Sequence, residues 1–161
     1  MSKILPVVAY VSGDACSAAL WLVSAASHVA ATPTAGIGSL GCCCSIVDNR
    51  EQQAKQGIKT WEIISSQTPG KRPDAATDAG RAAIQRVADN TAQIFIEEVA
   101  RYRGLSVDHV ASPACGQGAV LIGQHAVDAG LADEIATFEE VFSALVPDEE
   151  QGEREGVLSA V

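Results

Sequence analysis

Aromatic residues are scarce in this chain: two Trp, two Tyr and three Phe make up 4% of 161 residues, although 47% are hydrophobic. A core of Ala, Val, Ile and Leu is therefore expected, in a chain the length of one ordinary domain. There is no Lys/Arg cluster, and 20 acidic against 11 basic side chains leave a formal charge of −9. That field repels phosphate backbones and excludes nucleic acid as an expected partner. A clean run of ~20 apolar residues is also lacking, because Ser17, Ser24, Ser27, His28, Pro33 and several glycines interrupt residues 15–47; no membrane span is expected. Lys3 followed by the apolar residues 4–11 invites a signal-peptide reading, but Pro6 and Asp14 favour a buried strand. Five cysteines is an odd number, and Cys42, Cys43 and Cys44 are consecutive. This fits neither a spaced disulfide framework nor paired CxxC zinc ligands, so a reducing, cytoplasmic setting without metal or cofactor is expected.

Residues 6–12 are β-branched and apolar, end at Gly13, and precede an Ala-rich stretch from 15 to 27: a strand leading into a buried helix. Residues 28–32 read as a short strand, 33–41 as a glycine-punctuated turn, and 42–47 as another strand. A polar helix over 49–56 stops at Gly57, and 58–64 reads as a further strand. Pro69, Gly70 and Pro73 make 65–76 a loop, with Asp74 or Thr77 as cap of the next helix. That helix runs to Arg103 on a stripe of Ile84, Val87, Ala88, Thr91, Phe95, Val99 and Tyr102, and ends at Gly104. Short helices over 107–110 and 124–129, a loop at 115–118, a strand near Val120 and a last helix over 137–145 follow. Strands alternating with helices predict an α/β fold with a largely parallel sheet. The charged stretch after Pro147 reads as a disordered tail.

Four segments carry candidate chemistry. In Val11-Ser12-Gly13-Asp14-Ala15-Cys16-Ser17-Ala18-Ala19-Leu20-Trp21, a serine stands at the first turn of a helix, where free N–H groups and the positive dipole end favour a developing oxyanion. Taken alone, it reads better as a capping residue. Ala31-Thr32-Pro33-Thr34-Ala35-Gly36-Ile37-Gly38-Ser39-Leu40-Gly41 is, alone, a turn whose serine satisfies local backbone. Ile63-Ile64-Ser65-Ser66-Gln67-Thr68-Pro69-Gly70-Lys71-Arg72-Pro73-Asp74 is, alone, a loop with a solvated lysine. The fourth, Gly123-Gln124-His125-Ala126-Val127-Asp128-Ala129-Gly130-Leu131-Ala132-Asp133, follows Arg101-Tyr102-Arg103-Gly104 and reads as a helix packed on a sheet edge.

In this order, with Lys71 about 54 positions after Ser17, the segments resemble the signal peptide peptidase A family of Ser-Lys serine peptidases. Within it they are most similar to the phage capsid (prohead) maturation branch. The likeness covers about residues 4–142 and matches an A-A-S-A-A-Y helix start, a T-P-T-A-x-x-G-S-I-G turn, an S-S-Q-S-P-x-K-R-x-D loop and a G-x-x-A-x-x-x-G-L-x-D helix and turn. It implies a ClpP/crotonase-like layered fold. Ser17 takes the nucleophile position, Lys71 the general base and Ser39 the lysine-orienting serine, with the Ala18 backbone N–H as an oxyanion donor. Such chemistry needs a partly desolvated lysine whose neutral amine accepts the serine proton. Arg72 either adds a nearby positive charge or is an exposed loop arginine.

The implied activity is endopeptidase action on protein or peptide substrates with small residues at the cleavage point. Scaffold or portal proteins of a capsid are candidates, and the protein would be a homo-oligomer in the host cytoplasm or the prohead. Family members carry an earlier βαβ portion with an S-P-G-G-like loop that supplies a second oxyanion N–H. Here the chain starts at the strand before the nucleophile, so an N-terminally truncated sheet with an exposed apolar edge is expected. Residues 1–145 would be the C-terminal portion of the peptidase domain and 146–161 an acidic tail. Two alternatives remain open: an inactive module retaining only assembly contacts, and a crotonase-type relative handling acyl-thioesters. His28, His109 and His125 are discounted as triad members. Cys42, Cys43 and Cys44 alternate faces of a strand and are expected to be small core residues, as Cys16 is beside Ser17.

Overall fold

The computed structural model describes residues 6–146. Its elements are β1 (Val8–Val11), β2 (Asp14–Cys16), α1 (Ala18–Ser24), β3 (His28–Ala31), β4 (Gly36–Gly38), α2 (Arg50–Lys55), α3 (Asp78–Arg103), α4 (Val107–Val110), β5 (Val120–Ile122), α5 (Gln124–Asp128), β6 (Glu134–Ile135) and α6 (Phe138–Leu145). They fall into two compact units, residues 41–96 forming the second and the remainder the first.

The first unit holds two three-stranded sheets, ordered β1-β3-β6 and β2-β4-β5. The first is wholly parallel, pairing Val8 with His28 through Val11 with Ala31, and Ala30 and Ala31 with Glu134 and Ile135. In the second, β2 runs parallel to β4 and β5 antiparallel to it. The fold is thus α/β with largely parallel pairing, as the alternating elements predict. Val29, Ala30 and Ala31 of the central β3 are fully buried, which is why this strand reads as a continuous apolar run. Leu20, Ile37, Val99, Val110, Ala126 and Leu131 complete much of a core with few aromatics. Thr137 and Glu140 form a reciprocal capping box at the start of α6.

The fourth sequence segment builds structure. Arg103, whose side chain is 6% exposed, pairs with Asp133 at 2.5 Å and donates from Nε to the Gly130 carbonyl at 3.0 Å. The other Asp133 oxygen accepts the Val29 N–H at 2.7 Å, tying the end of α3 to β3. Burial works to raise the Asp133 carboxyl, but the hydrogen bonds from Arg103 and Val29 and the Arg103 and His28 charges outweigh it and hold it below its usual range.

Several boundaries depart from the sequence reading. The helix expected from residue 15 begins at Ala18, because Asp14–Cys16 is drawn into a ladder with Gly36–Gly38, a strand inside what reads as a turn. Thr77 rather than Asp74 caps α3, its hydroxyl accepting the Gly80 N–H at 3.0 Å. Along α3, Ala88, Phe95 and Val99 are buried as expected, but Val87 and Thr91 face outward. The short β6 was not expected.

In the second unit the expected strands at 42–47 and 58–64 do not form: neither pairs with another strand. Cys42, Cys43 and Cys44 are exposed and free, not core residues. Val47, Trp61 and Ile63 are 84–96% exposed. α2 forms as read and stops at Gly57, whose φ of +74° suits glycine. The expected acidic tail lies, beyond Val146, outside the described residues. Among the described residues no helix is long and apolar enough to cross a membrane.

Candidate active site

Ser17 is the hinge between β2 and α1. Its N–H donates to the Gly38 carbonyl at 2.9 Å, prolonging the β2-β4 ladder, and its carbonyl accepts the Trp21 N–H at 3.2 Å, opening the helix. Serving both elements forces φ 55° and ψ −124°, a conformation that glycine adopts freely and a side chain strains to hold, by about 1–3 kcal/mol. Ser17 is exposed, and its hydroxyl makes no capping bond. The capping reading of this serine is therefore set aside. A serine on a strained strand-to-helix turn presents its Oγ outward at the end of the sheet, a geometry suited to a nucleophile.

The Ser39 turn lies against the same strand end. Gly38 has φ +141°, and a Cβ there would come within 2.5 Å of the Ala119 carbonyl oxygen. Ser39 follows with φ 53° and donates its N–H to that carbonyl at 3.0 Å. Among the described residues only Ser17, Ser39 and Gln117 are non-glycine residues at positive φ, Gln117 at 47°. Ser17 bonds to Gly38, Ser39 to Ala119, and Ala119 lies two residues after Gln117. The strained backbone is thus gathered in one place, as it is at functional sites. Gln117 was missed in the sequence, although its flanking Gly116 and Gly118 marked the loop. Ala18, the first residue of α1, follows the serine directly.

Lys71 belongs to the second unit, at the end of the 3-10 turn Pro69–Lys71, and is exposed. Its N–H donates to the Thr68 carbonyl at 3.1 Å. Arg72 pairs with Glu62, so its charge is engaged.

Two of the three histidines have other partners. His28 Nε2 lies 2.9 Å from Glu134 Oε1 and Nδ1 3.6 Å from Asp133 Oδ2. His109 Nε2 is 3.0 Å from the Ala129 carbonyl, and His125 is exposed on α5. Cys16 donates its thiol to the Gly36 carbonyl at 3.6 Å, and burial, with the Asp14 charge, pushes its pKa up. It is half-buried and less readily ionised than a free thiol, which fits packing rather than attack. No group of three or more His, Cys, Asp or Glu among the described residues is arranged to hold a metal ion.

The model of Peptidase family S49 matches residues 1–151. The chain is 36% identical over 142 residues to the head-tail preconnector protein of Enterobacteria phage P21, covering 87% of this chain and 28% of that protein. It is 37% identical over 134 residues to the capsid assembly protease of Escherichia phage lambda, covering 82% of this chain and 30% of that protein. A putative protease of Methanocaldococcus jannaschii is 27% identical over 151 residues, covering 90% and 47%. The chain thus spans less than half the length of each of these relatives. The match is to the kind of family that the four ordered segments indicated.

Proposed function

The chain belongs to peptidase family S49, and from that premise we propose that it is a serine endopeptidase of capsid maturation working through Ser17 and Lys71. Ser17 Oγ attacks the carbonyl carbon of a peptide bond while the Lys71 amine takes its proton. The carbonyl oxygen becomes an oxyanion, stabilised by the Ala18 N–H, one of the donors that a helix's first turn leaves without an intrahelical acceptor. Collapse of this intermediate passes the proton to the leaving amine and leaves an acyl-enzyme on Ser17. Water, deprotonated by the same lysine, then releases the acyl product and restores the serine. Ser39 orients the lysine amine.

The observation that carries this reading is Ser17 itself, exposed and uncapped on a strained turn where glycine would be easier. Relatives named for head-tail connection and capsid assembly point to capsid proteins, scaffold or portal, as substrates. The working place would then be the prohead or the host cytoplasm, and the working form a homo-oligomer.

Incubation of the chain with scaffold-like substrates tests the proposal. Cleavage should be lost in Ser17→Ala and Lys71→Ala, and an N-terminal acyl product should be trapped on Ser17 by mass spectrometry at short times. Equal cleavage by both variants and the parent would overturn it.

A further inference from the structure

The loop over residues 65–76 must present the lysine amine, yet every residue from 65 to 74 is exposed. No apolar burial holds it. Its shape rests on polar ties, and these concentrate on one side of Lys71. At Asp74, the backbone carbonyl accepts the Thr77 N–H at 3.0 Å and the Thr77 hydroxyl at 2.9 Å, while one carboxylate oxygen accepts the Ala76 N–H at 2.9 Å. Gly80, in the first turn of α3, permits this close approach: a Cβ there would lie 1.9 Å from the Asp74 carbonyl oxygen. The remaining Asp74 oxygen accepts Arg50 Nη1 at 3.1 Å.

Arg50 is the first residue of α2. Its guanidinium is already oriented by Asp48, which it grips through Nε at 2.9 and 3.0 Å and through Nη2 at 2.5 Å. Asp48 is held down at about 2 by those bonds, so it remains ionised at neutral pH. The planar fork thus has a fixed plane before it reaches Asp74, three residues after Lys71. Among the described residues this is the one hydrogen-bonded tie from α2 to the lysine loop. On the same side, Arg72, the residue next to Lys71, is tied to Glu62. Without Arg50, Asp48 and Asp74 would face each other as uncompensated like charges, so the loop would be pushed as well as freed.

We propose that Arg50 is a positioning residue for the general base, fixing the Lys71 loop through Asp74. The proposal rests on the peptidase reading above and concerns alignment rather than fold stability, since exposed ion pairs contribute little to folding. A misplacement of about 1 Å in a catalytic group can cost on the order of 10²-fold in rate, so a partly loosened loop is expected to cost about tenfold.

The test compares the parent with Arg50→Ala, Arg50→Lys, Asp74→Asn and the Arg50→Ala/Asp74→Asn double variant. Arg101→Ala, which breaks an exposed pair with Glu98, serves as the matched control. Arg50→Ala should lower kcat about tenfold with KM within about twofold, Arg50→Lys should recover part of the loss, and the double variant should be no worse than Arg50→Ala. Arg101→Ala should change neither parameter. Independently of turnover, amide hydrogen exchange at Thr68 and Lys71 should quicken several-fold in Arg50→Ala and Asp74→Asn only. Unchanged exchange and kcat in Arg50→Ala, or equal losses in Arg101→Ala, would overturn the positioning role. Should Arg50→Ala not fold, Arg50→Lys and Asp74→Asn decide by the same measures. Cleavage by Ser17→Ala at the parent rate would instead overturn the peptidase reading, with the exchange result still deciding whether Arg50 braces the loop.

Discussion

Two strand-to-helix turns flank β4 with nearly the same backbone: Ser17 at φ 55°, ψ −124° and Gly123 at φ 50°, ψ −115°. Each donates its N–H at 2.9 Å to the β4 region, Ser17 to the Gly38 carbonyl and Gly123 to that of Ala35, and each starts a short helix. At the second turn the conventional residue is in place, and no other would fit. A Cβ on Gly123 would come within 2.1 Å of the Pro33 carbonyl oxygen. At the first turn the fold needs the same conformation, yet a side chain is carried there, exposed and without a capping bond. The backbone requirement explains a glycine in both places; the serine in one is what the proposed peptidase function accounts for.

The largest expected effect breaks this comparison at Ser17. Ser17→Ala should lower cleavage by about 10³-fold or more, as loss of a nucleophile does, while the urea midpoint changes little because the turn keeps a Cβ. A large fall in the midpoint would mean that the serine is structural after all. Gly123→Ala should behave in the opposite manner, destabilising the chain by about 3 kcal/mol through the Pro33 collision and the positive φ. A midpoint equal to that of the parent would show that the two turns are not equally constrained.

How much of this was legible follows from what each element depends on. β1, β3 and the helices from α2 onward declare themselves through local pattern, caps and stops. Asp14–Cys16 does not, because an Ala-rich run has helical propensity and its strand character comes from a ladder to residues 36–38, some 20 positions away. β4 was hidden by its own glycines. Gly36 is where a Cβ would meet Asp14 Oδ1 at 2.4 Å and Gly38 where it would meet the Ala119 carbonyl, so what reads as a turn is a strand under close approach. Residues 42–47 and 58–64 failed in the opposite direction: their composition suits strands, but a strand exists only with a partner. Of the candidate site, Ser17, Ser39 and Lys71 are named as candidates by spacing and likeness alone. The strain at Ser17 and Ser39 and the Arg50 brace were not legible, since positive φ and long-range ion pairs leave no mark on a serine or an arginine in a sequence.

A smaller effect sharpens the comparison from beyond α5, the helix that Gly123 begins. Asp133→Asn removes the partner of the nearly buried Arg103 and should destabilise the chain by about 2 kcal/mol. The sign of its pH dependence follows from the depressed carboxyl. Its contribution is fully present above the unfolded carboxyl pKa of roughly 4 and is lost as pH falls through the lower folded value. The parent should therefore lose stability relative to Asp133→Asn below about pH 4. Parallel curves from pH 6 to pH 2 would show that Asp133 carries no such linkage.

The smallest effect returns to the first turn and measures its strain. Ser17→Gly relieves a conformation that strains a side chain by about 1–3 kcal/mol, against about 0.5–1 kcal/mol for the added freedom of glycine in the unfolded chain. The difference predicts a gain of about 1 kcal/mol in unfolding free energy, in a variant that cleaves nothing. This is the one substitution that should make the two turns alike, and it should improve the fold as it removes the hydroxyl. A loss of stability instead would mean that Ser17 is at ease where it stands, and its backbone would then be no sign of function.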